Sequence, residues 1–185
     1  MNKSEIDTEL EAQKQELIAA LKACGAIRYG DFTLASGKKS KYYIDIKKAS
    51  TDPKTLKLIA RQAASRIKQM DVNIIAGVEL GGVPLATAVS METELPLLIV
   101  RKAVKDYGTK SRFVGDIKPE DRLVMLEDVT TSGGSVKNAI EVVRETGANV
   151  KYVISVVDRE EGAIENLKET GTELVPLVSA SDLLK

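Results

Sequence analysis

The chain has no histidine and a single cysteine, Cys24, in 185 residues. The first absence excludes imidazole-based catalytic triads and histidine metal sites. The second excludes an internal disulfide and fits a reducing, cytoplasmic setting. Cys24 lies in the apolar run LIAALKACGAI, where a packed thiol is expected rather than a nucleophile. Neither sign of charge is in excess, with 27 Lys and Arg against 27 Asp and Glu. That balance gives no support to a broad nucleic-acid or membrane surface, so any basic patch must be local. No apolar run approaches the length of a membrane span, and the opening MNKSEIDTELEAQ does not read as a signal peptide. Neither the Walker A pattern nor the G-x-G-x-x-G dinucleotide fingerprint occurs. Repeats, low-complexity tracts and interdomain linkers are missing too. With 43% hydrophobic and 29% charged residues, residues 1–185 are expected to form one domain with a sizeable core.

What is present is an alternation. Residues 4–23 read as a helix with a capping box at Ser4 and Asp7 and a shared face of Ile6, Leu10, Leu17 and Leu21. GDFTLASGKKSKYYIDIKKAS predicts two short strands around a Ser-Gly turn. A second helix follows Pro53, with Leu56, Ile59, Ala60, Ala63, Ile67 and Met70 at spacings of three and four. Then come five apolar strands, VNIIAGV, LPLLIV, RLVMLEDV, KYVISVVD and ELVPLVS, with helices at residues 86–91, 136–146 and 163–168 between most of them. This predicts an α/β fold, a parallel sheet covered on both faces by helices. Such sheets bind ligands at the carboxyl ends of their strands.

The stretch VMLEDVTTSGGSVKNAIEVV carries the clearest chemistry. A buried strand ends in Glu127 and Asp128. Val129 follows, then Thr130, Thr131, Ser132, Gly133, Gly134 and Ser135 at the start of a helix. Free backbone N–H groups, hydroxyls and a positive dipole end make a cradle for a phosphate monoester. Adjacent carboxylates repel each other and gain nothing structurally. They make sense if the ligand also carries ribose hydroxyls, which donate to carboxylates, and develops positive charge on the sugar ring. The ligand is therefore expected to be a ribose 5-phosphate with an activated anomeric carbon.

This stretch resembles the phosphoribosyl pyrophosphate (PRPP) motif of type I phosphoribosyltransferases. Three further segments narrow the resemblance to the orotate phosphoribosyltransferases. FTLASGKKSKYYID, residues 32–45, is similar to that family's N-terminal hood. RKAVKDYG, residues 101–108, is similar to its mobile catalytic loop. VVDREEGA, residues 156–163, matches its Asp-Arg-x-x-Gly-Ala segment. The resemblance implies a type I phosphoribosyltransferase fold, with a small hood from the N-terminal helix and residues 31–46 and a core over about residues 55–185. It implies conversion of orotate and PRPP to orotidine 5′-phosphate and pyrophosphate, in pyrimidine biosynthesis. It places PRPP against Arg101, Lys102, Lys105, Tyr107 and the stretch from Glu127 through Ser135, with Lys102, Lys105 and Asp128 as the catalytic groups. It places orotate against Thr131, Arg159 and Tyr43. Mg²⁺ is expected to be held mainly by PRPP and water, and a homodimer is expected whose loop reaches the neighbouring site. No nucleic acid or membrane partner is expected.

The residues themselves leave blander readings open for two of these. Five cations and one anion between Arg101 and Arg112 also fit a solvated loop. Arg159 could pair with Asp158, Glu160 or Glu161 instead of clamping a ligand carboxylate. The chain departs from the family pattern at Tyr107, where a histidine is usual, at Ala35, where many members have lysine, and at Gly81, where some do. Lys38, Lys39 and Lys41 are candidates to compensate for Ala35. Two rival functions are a phosphoribosyltransferase for another base and a PRPP-sensing regulator without the chemistry. The hood and DREEGA segments oppose the first, and a single mixed-charge helix before the hood opposes the second.

Overall fold

The computed structural model describes residues 3–33, 39–102 and 111–184. The positions Ala35, Lys38, Lys105, Tyr107, Gly108 and Lys110 lie outside them. Helix α1 (Lys3–Ala23) leads into strands β1 (Ile27–Thr33) and β2 (Lys39–Ile44), followed by helices α2 (Ile46–Ser50) and α3 (Pro53–Ile67). Alternation then begins with β3 (Ile74–Val78), α4 (Gly82–Thr93), β4 (Leu97–Val100) and β5 (Phe113–Val114). It continues through β6 (Arg122–Thr130), α5 (Gly134–Arg144), β7 (Asn149–Asp158), α6 (Ala163–Lys168), β8 (Glu173–Ser179) and α7 (Ala180–Leu183).

β1 and β2 form an antiparallel pair with Ile27 opposite Ile44 and Tyr29 opposite Tyr42. The other strands make one sheet in the order β5-β4-β3-β6-β7-β8. All its neighbours are parallel except β5, which runs antiparallel on the edge. Interior strands buried on both faces should be apolar without alternation, and Leu123, Val124, Met125 and Leu126 of β6 are all buried. Their side chains divide between two cores. Val124 and Leu126 join Leu17 and Leu21 of α1, Ile59 of α3 and Leu85 of α4 on one face. Leu123 and Met125 meet Val136 and Ile140 of α5 and Leu167 of α6 on the other. Each fully buried Leu or Ile contributes about 1.5–3 kcal/mol relative to exposure. Ile44 and Ile46, at the root of the β1/β2 pair, belong to the first core.

The five parallel strands and the helix Ala163–Lys168 are where the sequence pattern puts them. Helix α5 begins at Gly134, two residues before the periodic apolar positions start. The pattern did not show α2, β5 or α7, each five residues or fewer. α2 exists because the Asp45 carboxylate accepts the Lys48 N–H at its start and Ile46 and Ala49 are buried beneath it. α7 is held by a reciprocal capping box between Ser179 and Asp182.

Candidate active site

The carboxyl ends of β3, β6 and β7 come together beside the root of the β1/β2 pair. Glycine makes this approach possible. A Cβ on Gly82 would sit 2.4 Å from the Leu126 carbonyl oxygen, and one on Gly77 would sit 2.6 Å from the Gly82 carbonyl oxygen. The start of α4 is thereby pressed onto β3 and β6. The turn before it, with a cis peptide bond between Glu79 and Leu80, lies against β6. A cavity of about 720 Å³ opens here, lined among others by Tyr43, Lys47, Lys102, Glu127, Asp128, Thr131, Ser135 and Arg159. A smaller hollow of about 90 Å³ follows the turn from Val129 to Val136. At its base Gly133 takes φ 79°, a left-handed conformation suited to glycine, and α5 starts at the next residue. Thr131, Ser132, Gly134 and Ser135 are exposed around this helix start. Unpaired N–H groups and the positive dipole end make it a competent anion cradle.

Thr130 differs from its neighbours. Its hydroxyl is buried and donates to Asp158 Oδ1 at 2.8 Å, so it is committed to β7 rather than to the cradle. Its carbonyl accepts the Arg159 N–H at 2.9 Å. Thr130 thus joins the glycine turn to the base of Arg159. Burial raises the Asp158 carboxyl above its ordinary range, with the Thr130 hydroxyl opposing the shift.

Glu127 and Asp128 are each 8% exposed. Two ionised carboxylates at adjacent buried positions would be costly, and the site avoids that arrangement. Burial, and then the adjoining Asp128 carboxylate, push Glu127 up to about 8. Burial works to raise Asp128 too, but its contacts with Glu127 and Lys47 outweigh this and hold it below the ordinary range. Lys47 Nζ lies 2.7 Å from Asp128 Oδ2. The Val129 N–H donates to Asp128 Oδ1 at 2.9 Å. Glu127 Oε1 accepts the Asp128 N–H at 3.3 Å, while Oε2 is buried without a hydrogen-bond partner among the described residues. The surroundings thus favour the protonated form of Glu127 and the ionised form of Asp128, with the Lys47 ammonium beside it.

Arg159 projects from the end of β7 with its side chain only 9% exposed. Its Nε donates to Glu161 Oε1 at 2.9 Å, which is one of the pairings the sequence left open. Its guanidinium carbon lies 5.3 Å from the centre of the Tyr42 ring. One edge and one face are thus occupied while the group still lines the large cavity. Tyr43, 42% exposed, lines the same cavity and packs its ring 5.6 Å from that of Phe32.

Lys102 lines the cavity too, and its N–H donates to Glu79 Oε2 at 3.3 Å. The Arg101 N–H donates to the Arg112 carbonyl at 2.8 Å, and Arg101 is not among the cavity-lining residues. Lys105 and Tyr107 fall outside the described residues. Sequence reasoning missed Lys47, Tyr42 and Glu79 as site residues. Lys47 stands in IDIKKAS, where a lysine doublet reads as a solvated surface; only the fold brings it to a residue 81 positions away.

Residues 48–172 match the family model described as "Phosphoribosyl transferase domain". The chain is 85% identical over 182 residues to orotate phosphoribosyltransferase of Methanosarcina mazei, covering 98% of this chain and 97% of that protein. Its fold is similar to the crystal structure of Mycobacterium tuberculosis orotate phosphoribosyltransferase in complex with PRPP. The TM-score is 0.78 and the identity 27%, over 94% of this chain and 99% of that one. It is also similar to Leishmania donovani UMP synthase, with a TM-score of 0.82 and 34% identity; there it covers 91% of this chain but 37% of the longer one. A parallel sheet ending in an acidic pair and a glycine turn at a helix start, with these likenesses spanning nearly the whole chain, leads to one conclusion: the chain belongs to the orotate phosphoribosyltransferases.

Proposed function

We propose that the chain transfers the phosphoribosyl group of PRPP to orotate through the cavity described above, with each group in a defined role. The observation that carries this reading is the placement of Arg159 and the Glu127–Asp128 pair on one cavity, next to the α5 cradle. The 5-phosphate takes the N–H groups and hydroxyls of Thr131, Ser132, Gly133, Gly134 and Ser135, with Val129 and Thr130 supporting the turn through their backbone. The ribose hydroxyls take Asp128 and the unpartnered Glu127 Oε2. The open edge of the Arg159 guanidinium takes the orotate carboxylate, with Thr131 and Tyr43 beside the ring.

The ring nitrogen of orotate attacks the anomeric carbon as the C–O bond to pyrophosphate breaks. No covalent enzyme intermediate is required. The sugar becomes cationic in the transition state, and Asp128 is placed to stabilise that charge. Lys102 meets the leaving pyrophosphate. The family resemblance assigns Arg101, Lys105 and Tyr107 to the same anion.

Among the described residues no group of three or more His, Cys, Asp or Glu side chains could hold a metal ion. The acidic pair offers Asp128 as a carboxylate held below its ordinary range and Glu127 as an acid raised above it. That donor set fits Mg²⁺ coordinated by pyrophosphate oxygens and water rather than by a protein cage. When bound, Mg²⁺ offsets charge on the pyrophosphate. The β1/β2 pair with α1 acts as a hood over the site, built on the same single domain. The exposed Leu80, Met91 and Val114 supply apolar surface for a homodimer whose loops reach the neighbouring sites. No helix among the described residues is long and apolar enough to cross a membrane, and the lone thiol of Cys24 fits a reducing cytoplasm.

Steady-state kinetics of Arg159→Ala test the reading. KM for orotate should rise roughly 10- to 100-fold through loss of a charge-assisted contact, with KM for PRPP changed much less. Equal effects on both would make Arg159 only the ion-pair partner of Glu161.

A further inference from the structure

Lys47 lies in no segment that the family resemblance singled out, yet it makes the closest charged contact in the site. Its ammonium is 2.7 Å from Asp128 Oδ2 and its side chain is 61% exposed, whereas that of Asp128 is 11% exposed. An exposed pair on two free side chains would do little. This pair differs at both ends. Lys47 stands on α2, which is fixed by buried Ile46 and Ala49 and capped by Asp45. Asp128 is enclosed: Val129 N–H holds Oδ1, and a Cβ on Gly81 would lie 2.2 Å from Oδ2. The carboxylate thus has a lysine on one side and the Gly81 backbone on another.

We propose that Lys47 is a positioning residue, clamping the Asp128 carboxylate in the orientation that receives a ribose hydroxyl of PRPP. This rests on the assignment of Asp128 to the ribose. An ionised carboxylate has about four lone-pair sites. Lys47 and Val129 occupy two and the Glu127 side chain approaches a third, which leaves one for a ribose hydroxyl without displacing the clamp. The clamp also joins the root of the hood to the sugar site, since α2 follows directly from β2. Other ionisable groups face this pair. Asp45 and Tyr43 act on Lys47 from β2 and its exit, and Glu127 adjoins Asp128 on β6. Lys102 acts on Glu127 from the end of β4, with Glu79 bonded to the Lys102 backbone. Removing Lys47 leaves Asp128 buried beside Glu127 with no ammonium in contact, so protonation of Asp128 becomes easier.

The experiment is the pH dependence of kcat/KM for PRPP in the parent, Lys47→Met and Lys47→Arg, each also combined with Asp128→Asn. Lys47→Met should lower kcat/KM for PRPP about tenfold at neutral pH and move the acidic limb to higher pH, while KM for orotate stays within about twofold. Lys47→Arg should restore most of the loss, because the cation is kept. In the Asp128→Asn background, Lys47→Met should have no further effect, since the group it positions is already gone. An unmoved acidic limb with kcat/KM within about twofold of the parent would overturn the inference. So would equal losses in both backgrounds, which would mark a general packing role. Full activity of Asp128→Asn would overturn the ribose assignment and this inference with it. An impaired Asp128→Asn beside an unimpaired Lys47→Met would overturn this inference alone.

Discussion

Glu127 is where the residue types taken alone mislead most. Two adjacent acids read as two negative charges, and folding changes that by burying both and pairing only Asp128 with a lysine. The consequence is measurable. In the unfolded chain Glu127 ionises near 4.5, whereas in the folded protein it keeps its proton up to about 8. Its contribution to stability is fully present below the lower value and is lost as pH rises through the higher one. Glu127→Gln removes this loss. The variant should gain in Tm over the parent as pH rises from about 5 to about 8, with each kcal/mol recovered worth roughly 2–4 °C. A constant Tm difference across that range would show that Glu127 is ionised in the folded protein. Asp128→Asn tests the other acid: if Asp128 holds the ribose as proposed, kcat should fall roughly a hundredfold or more in a folded protein, through loss of the charge that would stabilise a cationic sugar. Arg159 was legible as a cation at a strand end, and its alternatives were legible as well. Its bond to Glu161, two residues on, is one of the pairings the sequence left open; its packing on Tyr42 depends on how β7 and the β1/β2 pair meet, which no local pattern encodes.

At the scale of elements, legibility followed length and burial. β6 and β7 are long and apolar, so their pattern alone identifies them. β5 has two residues and sits on the edge, where one antiparallel neighbour is enough to hold it. α2 has no period to read, and its stability comes from Ile46 and Ala49 in the core together with the Asp45 cap. The cradle and the acidic pair were legible because strand, acids and glycine turn are contiguous. Lys47 and Glu79 were not, because they reach the site from other elements. The junction of β3, α4 and β6 gives a test of how the site is assembled. Gly82 lies where a side chain would strike the Leu126 carbonyl, so Gly82→Ala should destabilise the protein by about 1–3 kcal/mol through overpacking. The same shift should weaken PRPP binding, since Leu126 leads directly into the acidic pair. A urea melt superimposable on the parent's would mean that α4 can move away at no cost.

For the whole molecule, the proposed dimer gives a prediction that no single subunit can satisfy. If the loop of one copy serves the site of the other, mixing Lys105→Ala with Asp128→Asn subunits should restore activity. One site of each hybrid then receives an intact loop and an intact sugar site. Absence of rescue, with hybrids shown to form, would mean that each loop serves its own subunit. The most direct test is pyrophosphate release by the purified protein with PRPP, Mg²⁺ and a panel of bases. Orotate should support release, whereas adenine, guanine, hypoxanthine and uracil should not do so comparably. They lack the carboxylate and would leave Arg159 unpaired with ligand in a closed site. Release at similar rates with uracil or a purine, or none with orotate, would contradict the assignment of this cavity to orotate and PRPP.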